Sequence, residues 1–229
     1  MAEPFVLVHG AWHGGACWRP LVEELEGRGE RVVTMDLPSE DPDATLEDYA
    51  SAVVDAAAVF DEPVTVVGHS FGGLTVPLIP ERRPVARLIF VAAILPVPGE
   101  PPAAVLGPEA YRAGFDELLG EQLAAGSWSR EGATAAFYHD VPEPLLSEAI
   151  GALRGQEFGP TAAPWPIEAY PDVPTRYLAC DDDRTLDPAW QVRIARERLG
   201  IEAEVLPGSH SPMLTRPAEL ADLLLSRPG

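Results

Sequence analysis

The stretch Val64-Thr-Val-Val-Gly-His-Ser-Phe-Gly-Gly73 constrains this chain more than any other. Four β-forming residues, Val64 to Val67, run directly into Gly68-His69-Ser70-Phe71-Gly72, which fits G-x-S-x-G. That pattern marks a sharp turn from a strand into a helix, with a serine held at its tip. Glycines are required there because a Cβ beside the serine has no room, and the serine itself is forced into a strained backbone conformation. The turn presents Oγ at the mouth of a site. It also places the next backbone N–H, that of Phe71, at a helix N-terminus, where negative charge is favoured.

The flanking sequence alternates strands and helices. Pro4 to His9 is a short apolar run that reads as a buried strand, broken at Gly10. The loop His9 to Trp18 is rich in glycine, as expected of backbone that must approach something closely. A helix is predicted from about Trp18 to Arg28, with Leu21, Val22 and Leu25 on one face and Gly29 as its stop. A second strand covers Arg31 to Asp36. Thr45-Leu-Glu-Asp48 resembles a capping box and opens a helix through about Phe60. The third strand is Val64 to Gly68, and the helix after Ser70 is expected to be short or kinked because of Pro77 and Pro80. Arg87 to Ala93 is a fourth strand, Thr175 to Cys180 a fifth and Ala203 to Leu206 a sixth. Asp187 and Pro188 form an N-cap and N1 pair for a helix to about Leu199, with Gly200 beyond it, and Pro217 starts a last helix carrying Leu220, Leu223 and Leu224. Near-continuous apolar strands separated by helices imply an α/β fold: a six-stranded, mostly parallel sheet covered on both faces.

One segment breaks the alternation. From about 95 to 169 the chain is rich in Pro, Gly and Ala and has no clear strand, with helical stretches plausible around Glu109–Leu119 and Pro144–Leu153. A loop of that length is not expected inside a compact domain. It reads as an insertion folded over the sheet as a lid, leaving residues 1–94 and 170–229 as the core domain.

Composition excludes several classes of function. The 229 residues carry a formal net charge of −20, and all 16 cationic side chains are arginine. A surface of that sign repels nucleic acid and anionic membranes. Without lysine there is no Schiff-base or P-loop chemistry. Cys17 and Cys180 fit neither a disulfide framework nor a metal site, so no metal and no cofactor is expected. No apolar run is long enough to span a bilayer, and the first residues lack a basic n-region, so a cytoplasmic location is expected. The richness in Ala, Arg, Pro and Gly hints at a GC-rich bacterial genome. A small-molecule substrate is the expected partner, with homodimerisation possible in principle.

In an open parallel sheet, working residues collect at the carboxyl ends of the strands. Here those ends carry His9-Gly10-Ala11, Ser70, Asp181–Asp183 and His210, so the order is Ser…Asp…His. A serine hydroxyl is a poor nucleophile unless a base takes its proton, which His210 can do near neutral pH. A carboxylate behind the imidazole fixes its tautomer and stabilises the cation. Position alone leaves all three aspartates open. The oxyanion needs two N–H donors, expected from Phe71 and from Ala11 in the loop after the first strand. His9 and His69 are expected to orient backbone, His13 to brace its loop, and His139 to lie in the insertion without a partner. Gly10, Trp12, Trp128, Phe137 and Met213 are the expected substrate-facing residues of an apolar pocket.

The chain resembles the plant methylesterase and hydroxynitrile lyase group of α/β-hydrolases and its bacterial esterase relatives. The resemblance lies in Phe5-Val-Leu-Val-His-Gly-Ala-Trp-His-Gly-Gly15 with Trp18, in Val32 to Leu37, in Gly68 to Gly73, in Cys180-Asp-Asp-Asp-Arg184 with Gln191, and in Gly208-Ser-His210. It covers the sheet domain but not the insertion. It implies an α/β-hydrolase fold and an acid at Asp183, with Asp181 in reserve. The interval from Asp183 to His210 suits one helix and one strand. Hydroxynitrile lyases of this group carry threonine where this chain has Gly10, and lysine where it has Ser211. A nearby ammonium stabilises released cyanide, so both departures favour hydrolysis of a small apolar ester, lactone or thioester over cyanohydrin or other C–C cleavage. A hydrolase-fold receptor with little turnover is the reading from a different class.

Overall fold

The computed structural model describes residues 4–107 and 109–226. Six strands form in chain order: β1 (Pro4–Val8), β2 (Arg31–Thr34), β3 (Val64–His69), β4 (Val85–Val91), β5 (Thr175–Cys180) and β6 (Glu204–Leu206). They make one sheet in the order β2-β1-β3-β4-β5-β6, and every pairing is parallel. Every residue of β1 and β3 is buried, as expected of central strands covered on both faces.

The helices follow the expected signals closely where those signals are local. The first, α1 (Arg19–Gly27), buries Leu21 and Leu25 and stops before Gly29 at φ 87°. The second, α2 (Leu46–Ala57), opens on a complete capping box, in which Thr45 and Asp48 each satisfy the other's amide. It ends before Phe60 because the Phe60 amide turns back onto the Ala57 carbonyl. After Ser70 the chain forms two 3₁₀ turns, Ser70–Leu74 and Val76–Leu78, in place of one helix. Gly72 and Gly73 favour helix weakly, and Pro77 has no N–H to continue an α-helical ladder.

Between β4 and β5 lie α3 (Phe115–Ala125), α4 (Arg130–Phe137) and α5 (Leu145–Gly151). The helix predicted at Glu109–Leu119 starts later, at Phe115. Residues 110–112 are drawn out of helical geometry by tertiary pairing: Tyr111 bridges to Leu186, and the Arg112 amide donates to the Thr185 carbonyl. The sequence reading missed α4, although Ser129 caps it by accepting from the Gly132 amide at 2.9 Å. After β5 come α6 (Pro188–Ile194), capped by Asp187 and prolonged by one π turn to Leu199, then α7 (Pro212–Thr215) and α8 (Pro217–Leu225).

The strand order fixes where chemistry can occur. From β1 the chain moves outward to β2, then returns to the other side of β1 for β3. Ligands bind at the carboxyl ends of strands flanking such a reversal. Val8 lies opposite Gly68, so the loop after β1 and the turn bearing Ser70 emerge side by side.

Candidate active site

The turn at Ser70 is as tight as its glycines imply. Ser70 sits at φ 51°, a left-handed conformation that costs a non-glycine residue on the order of 1–3 kcal/mol. A Cβ on Gly68 would come within 2.6 Å of a Val76 methyl, and one on Gly72 within 2.7 Å of the His9 carbonyl oxygen. A Cβ on Gly10, across the gap, would stand 2.8 Å from the Ser70 Cβ. Three chain segments therefore meet at the serine with no room for side chains between them. Ser70 is 8% exposed, and its hydroxyl makes no hydrogen bond among the described residues. Contacts between nucleophile and base often close only when substrate binds.

Asp183 and His210 are brought together from the ends of β5 and β6. His210 Nδ1–H donates to Asp183 Oδ2 at 2.7 Å, and both side chains are buried. The same Oδ2 accepts from Gln191 Nε2 at 2.8 Å, while Oδ1 accepts from the amides of Thr185 at 2.7 Å and Leu186 at 3.0 Å. Four donors thus satisfy a fully buried carboxylate. Donation from Nδ1 leaves Nε2 as the basic nitrogen of His210. His69, next to the serine, donates from Nε2 to the His210 carbonyl at 2.7 Å, and so ties the base loop to the serine turn. Burial, with His210 and His13 nearby, holds the His69 ring well below the usual histidine range.

The loop after β1 is pinned by two more neutral histidines. His9 donates from Nδ1 to the Gly10 carbonyl at 2.8 Å and accepts the Leu37 amide at Nε2 at 2.9 Å. His13 donates from Nδ1 to the Ala11 carbonyl at 2.6 Å and accepts the Tyr138 hydroxyl at Nε2 at 2.8 Å. Each ring needs an unprotonated Nε2, and burial pushes both down to about 4. The peptide planes on both sides of Ala11 are therefore fixed. Its own N–H makes no backbone hydrogen bond among the described residues. Phe71 is second in a 3₁₀ turn, where an N–H has no intrahelical acceptor.

The Alpha/beta hydrolase family matches residues 5–223. The chain belongs to this family. It is 30% identical to the pyrethroid hydrolase of Sphingobium wenxiniae over 96% of its own length and 85% of that protein. It is 28% identical to methylesterase 2 of Arabidopsis thaliana, covering 98% of this chain and 95% of the relative. The crystal structure of a pyrethroid hydrolase from Sphingobium faniae superposes with a TM-score of 0.80 at 26% identity, over 98% of this chain and 96% of that one. The six-stranded parallel sheet and its helices are the α/β-hydrolase fold.

Within that fold, the residues expected to face substrate fall into two sets. Trp12, Trp128 and Phe137 form one aromatic cluster, with ring centroids 5.3, 5.8 and 4.8 Å apart pairwise, and Phe137 also lies 6.1 Å from the His210 ring. Trp12 holds its place at φ 62°, with Gly10 and Ala11 just before it. Met213 is 1% exposed in α7, three residues after His210. Phe158 joins the cluster through Trp12 and Phe71, 5.5 and 5.9 Å away, and was not singled out by the sequence. A cavity of about 410 Å³ lies behind His13 and Tyr138, between α1 and α5, and none of the expected substrate-facing residues lines it.

One expectation is corrected. His139 is not partnerless: its Nε2 bonds Asp182 Oδ2 at 3.0 Å. The aspartate run is also divided in function. Asp181 accepts the Gly208 amide at 2.9 Å, Asp182 holds His139, and only Asp183 reaches His210. Gln191 was visible only as a matching residue; its bond to Asp183 comes from α6 lying across the end of β5. Among the described residues, no group of three His, Cys, Asp or Glu side chains is arranged to hold a metal ion, and no helix is long and apolar enough to cross a membrane. Cys17 and Cys180 are unpaired.

Proposed function

We propose that the protein is a serine esterase: a carboxylic ester hydrolase that cleaves a small apolar ester, lactone or thioester through an acyl-Ser70 intermediate. The observation that carries this reading is the buried 2.7 Å bond from His210 to Asp183, set beside a serine held on a strained turn. His210 Nε2 takes the proton of Ser70 as Oγ attacks the carbonyl carbon, and Asp183 stabilises the imidazolium that forms. The amides of Ala11 and Phe71 donate to the developing oxyanion. His210 then gives its proton to the leaving alkoxide or thiolate, and a water activated by the same nitrogen releases the acid.

Residues 95–169 act as the lid, and the cluster of Trp12, Trp128 and Phe137 forms an apolar wall for the substrate. The names of the relatives, a pyrethroid hydrolase and a methylesterase, support ester hydrolysis. Gly10 and Ser211, in a chain without lysine, oppose the lyase reading, because no ammonium is present to stabilise a released cyanide.

The test is reaction with a fluorophosphonate followed by intact mass on wild type, Ser70→Ala and His210→Ala. A single adduct on wild type that is absent from both variants is the expected result. No adduct on wild type, or an adduct on Ser70→Ala, refutes the assignment, and the first outcome moves a hydrolase-fold receptor ahead.

A further inference from the structure

The insertion touches the acid, base and oxyanion loops of the candidate site through one short stretch, residues 136–140, at the end of α4 and in the turn after it. The Ala136 carbonyl accepts the Thr185 hydroxyl at 3.0 Å, and the amide of Thr185 itself binds Asp183. The Phe137 ring packs 6.1 Å from His210 and 5.4 Å from His13. The Tyr138 hydroxyl donates to His13 Nε2, and His13 in turn donates to the Ala11 carbonyl. His139 bonds Asp182, the neighbour of Asp183. Asp140 Oδ2 accepts the amide of Ser209, the neighbour of His210, at 3.2 Å. Five successive residues therefore bear on the acid, base and oxyanion loops in turn.

We propose that this stretch is a positioning clamp for the reaction, with Tyr138 as its central positioning residue. The assignment rests on the esterase reading above. Ala11 sits between two peptide planes, and His9, a residue of β1's own loop, pins the first. The second accepts from His13 Nδ1, the His13 amide also closes onto the Gly10 carbonyl of the first at 3.4 Å, and the His13 ring is oriented by Tyr138 from the insertion. The second plane leads into Trp12 at φ 62°, a left-handed conformation that costs a non-glycine residue energy. Removing the Tyr138 hydroxyl leaves His13 Nε2 buried without a donor and frees its ring to turn. With that ring free the Gly10–His13 turn loosens, and the Gly10–Ala11 plane, which carries the Ala11 N–H, loses the support of the His13 amide where the oxyanion forms. An oxyanion contact is made in the transition state and not with bound ester, so this loss falls on kcat and spares KM. Catalytic geometry is in this way completed only when the insertion is seated.

The test compares Tyr138→Phe with wild type on a p-nitrophenyl butyrate assay and on the affinity of an aryl trifluoromethyl ketone, which forms a tetrahedral oxyanion on a serine. The control is Tyr170→Phe, which removes another inward hydroxyl, one that donates to the Pro96 carbonyl. Tyr138→Phe is expected to lower kcat and weaken the ketone by the same factor, about tenfold, with KM within about twofold. A second pair separates the relay from packing. His13→Asn keeps a donor near the Nδ1 position and should resemble Tyr138→Phe, while His13→Leu keeps none and should fall further. Wild-type kcat and ketone affinity in Tyr138→Phe, or an equal loss in Tyr170→Phe, overturns the clamp while leaving the serine assignment intact. Full activity in Ser70→Ala overturns the reading on which the clamp rests.

Discussion

Replacing Asp183 with Asn removes one charge and exchanges one acceptor for a donor at a buried, fully bonded site. Four donors converge on the carboxylate, and two of them, the amides of Thr185 and Leu186, are fixed backbone. The single Asn oxygen must stay with those amides, so the NH₂ faces Gln191 Nε2 and His210 Nδ1. Gln191 cannot turn its amide over cheaply, because its own oxygen accepts the Cys180 amide at 3.1 Å and its nitrogen also serves the Leu186 carbonyl. His210 therefore changes tautomer, placing its proton on Nε2, and that nitrogen can no longer accept from Ser70. A triad with the wrong tautomer loses about three to four decades in kcat, or about 4–5.5 kcal/mol of barrier. The side chain remains similar in shape, so the fold should persist with about 1–3 kcal/mol lost to the mismatched donors. Steady-state hydrolysis of p-nitrophenyl butyrate measures the rate, and a urea melt verifies the fold. The parallel variant Asp181→Asn keeps an oxygen for the Gly208 amide, its one acceptor role, and should stay within about twofold of wild type. More than a tenth of wild-type kcat in Asp183→Asn, or a comparable collapse in Asp181→Asn, refutes the reasoning.

Four further outcomes can be measured. Gln191→Leu deprives Asp183 of one donor and strands the buried Cys180 amide, so kcat should drop about tenfold and stability by about 2 kcal/mol, read by the same assay and melt. Gly72→Ala should cost about 2–3 kcal/mol, a Tm lower by about 5–10 °C in calorimetry, because the new Cβ meets two backbone oxygens at 2.7 and 2.8 Å. Gly120→Ala, in α3 with open space around it, should instead raise stability by about 0.5–1 kcal/mol. Stability should also fall with acid: His9 and His13 ionise near 6.5 when unfolded but only near 4 when folded, so between those values the unfolded chain binds more protons. Each contribution is present above pH 6.5 and is lost progressively towards pH 4, about 2 kcal/mol apiece by pH 5. A urea midpoint unchanged between pH 7.5 and pH 5 contradicts this.

Much of the candidate site was legible because its signals are local. The G-x-S-x-G turn, the glycines around Ser70 and the histidine after the last strand are backbone requirements, and a backbone requirement is written into the residues that satisfy it. The clearances at Gly68, Gly72 and Gly10 give that requirement a number. The same holds for the capping box at Thr45 and Asp48 and for the Asp187-Pro188 start of α6. Where tertiary pairing overrides local preference, reading fails: α3 begins six residues late because Tyr111 and Arg112 are drawn onto the turn after β5. Position alone left three aspartates equivalent, and a family resemblance was needed to prefer Asp183.

By itself the sequence determined the alternation of strand and helix, the parallel sheet, the serine turn and the order in which Ser70, the aspartate run and His210 follow the strands. Those follow from hydrophobic periodicity and from residues that only one backbone conformation accommodates. Tertiary structure alone decided which polar atoms meet. Gln191 reaches Asp183 because α6 crosses the end of β5, and Tyr138 reaches His13 across 125 residues of chain because the insertion folds back over the loop after β1. Hydrogen bonds between side chains depend on distances of tenths of an ångström, and packing sets such distances, not the spacing of residues along the chain.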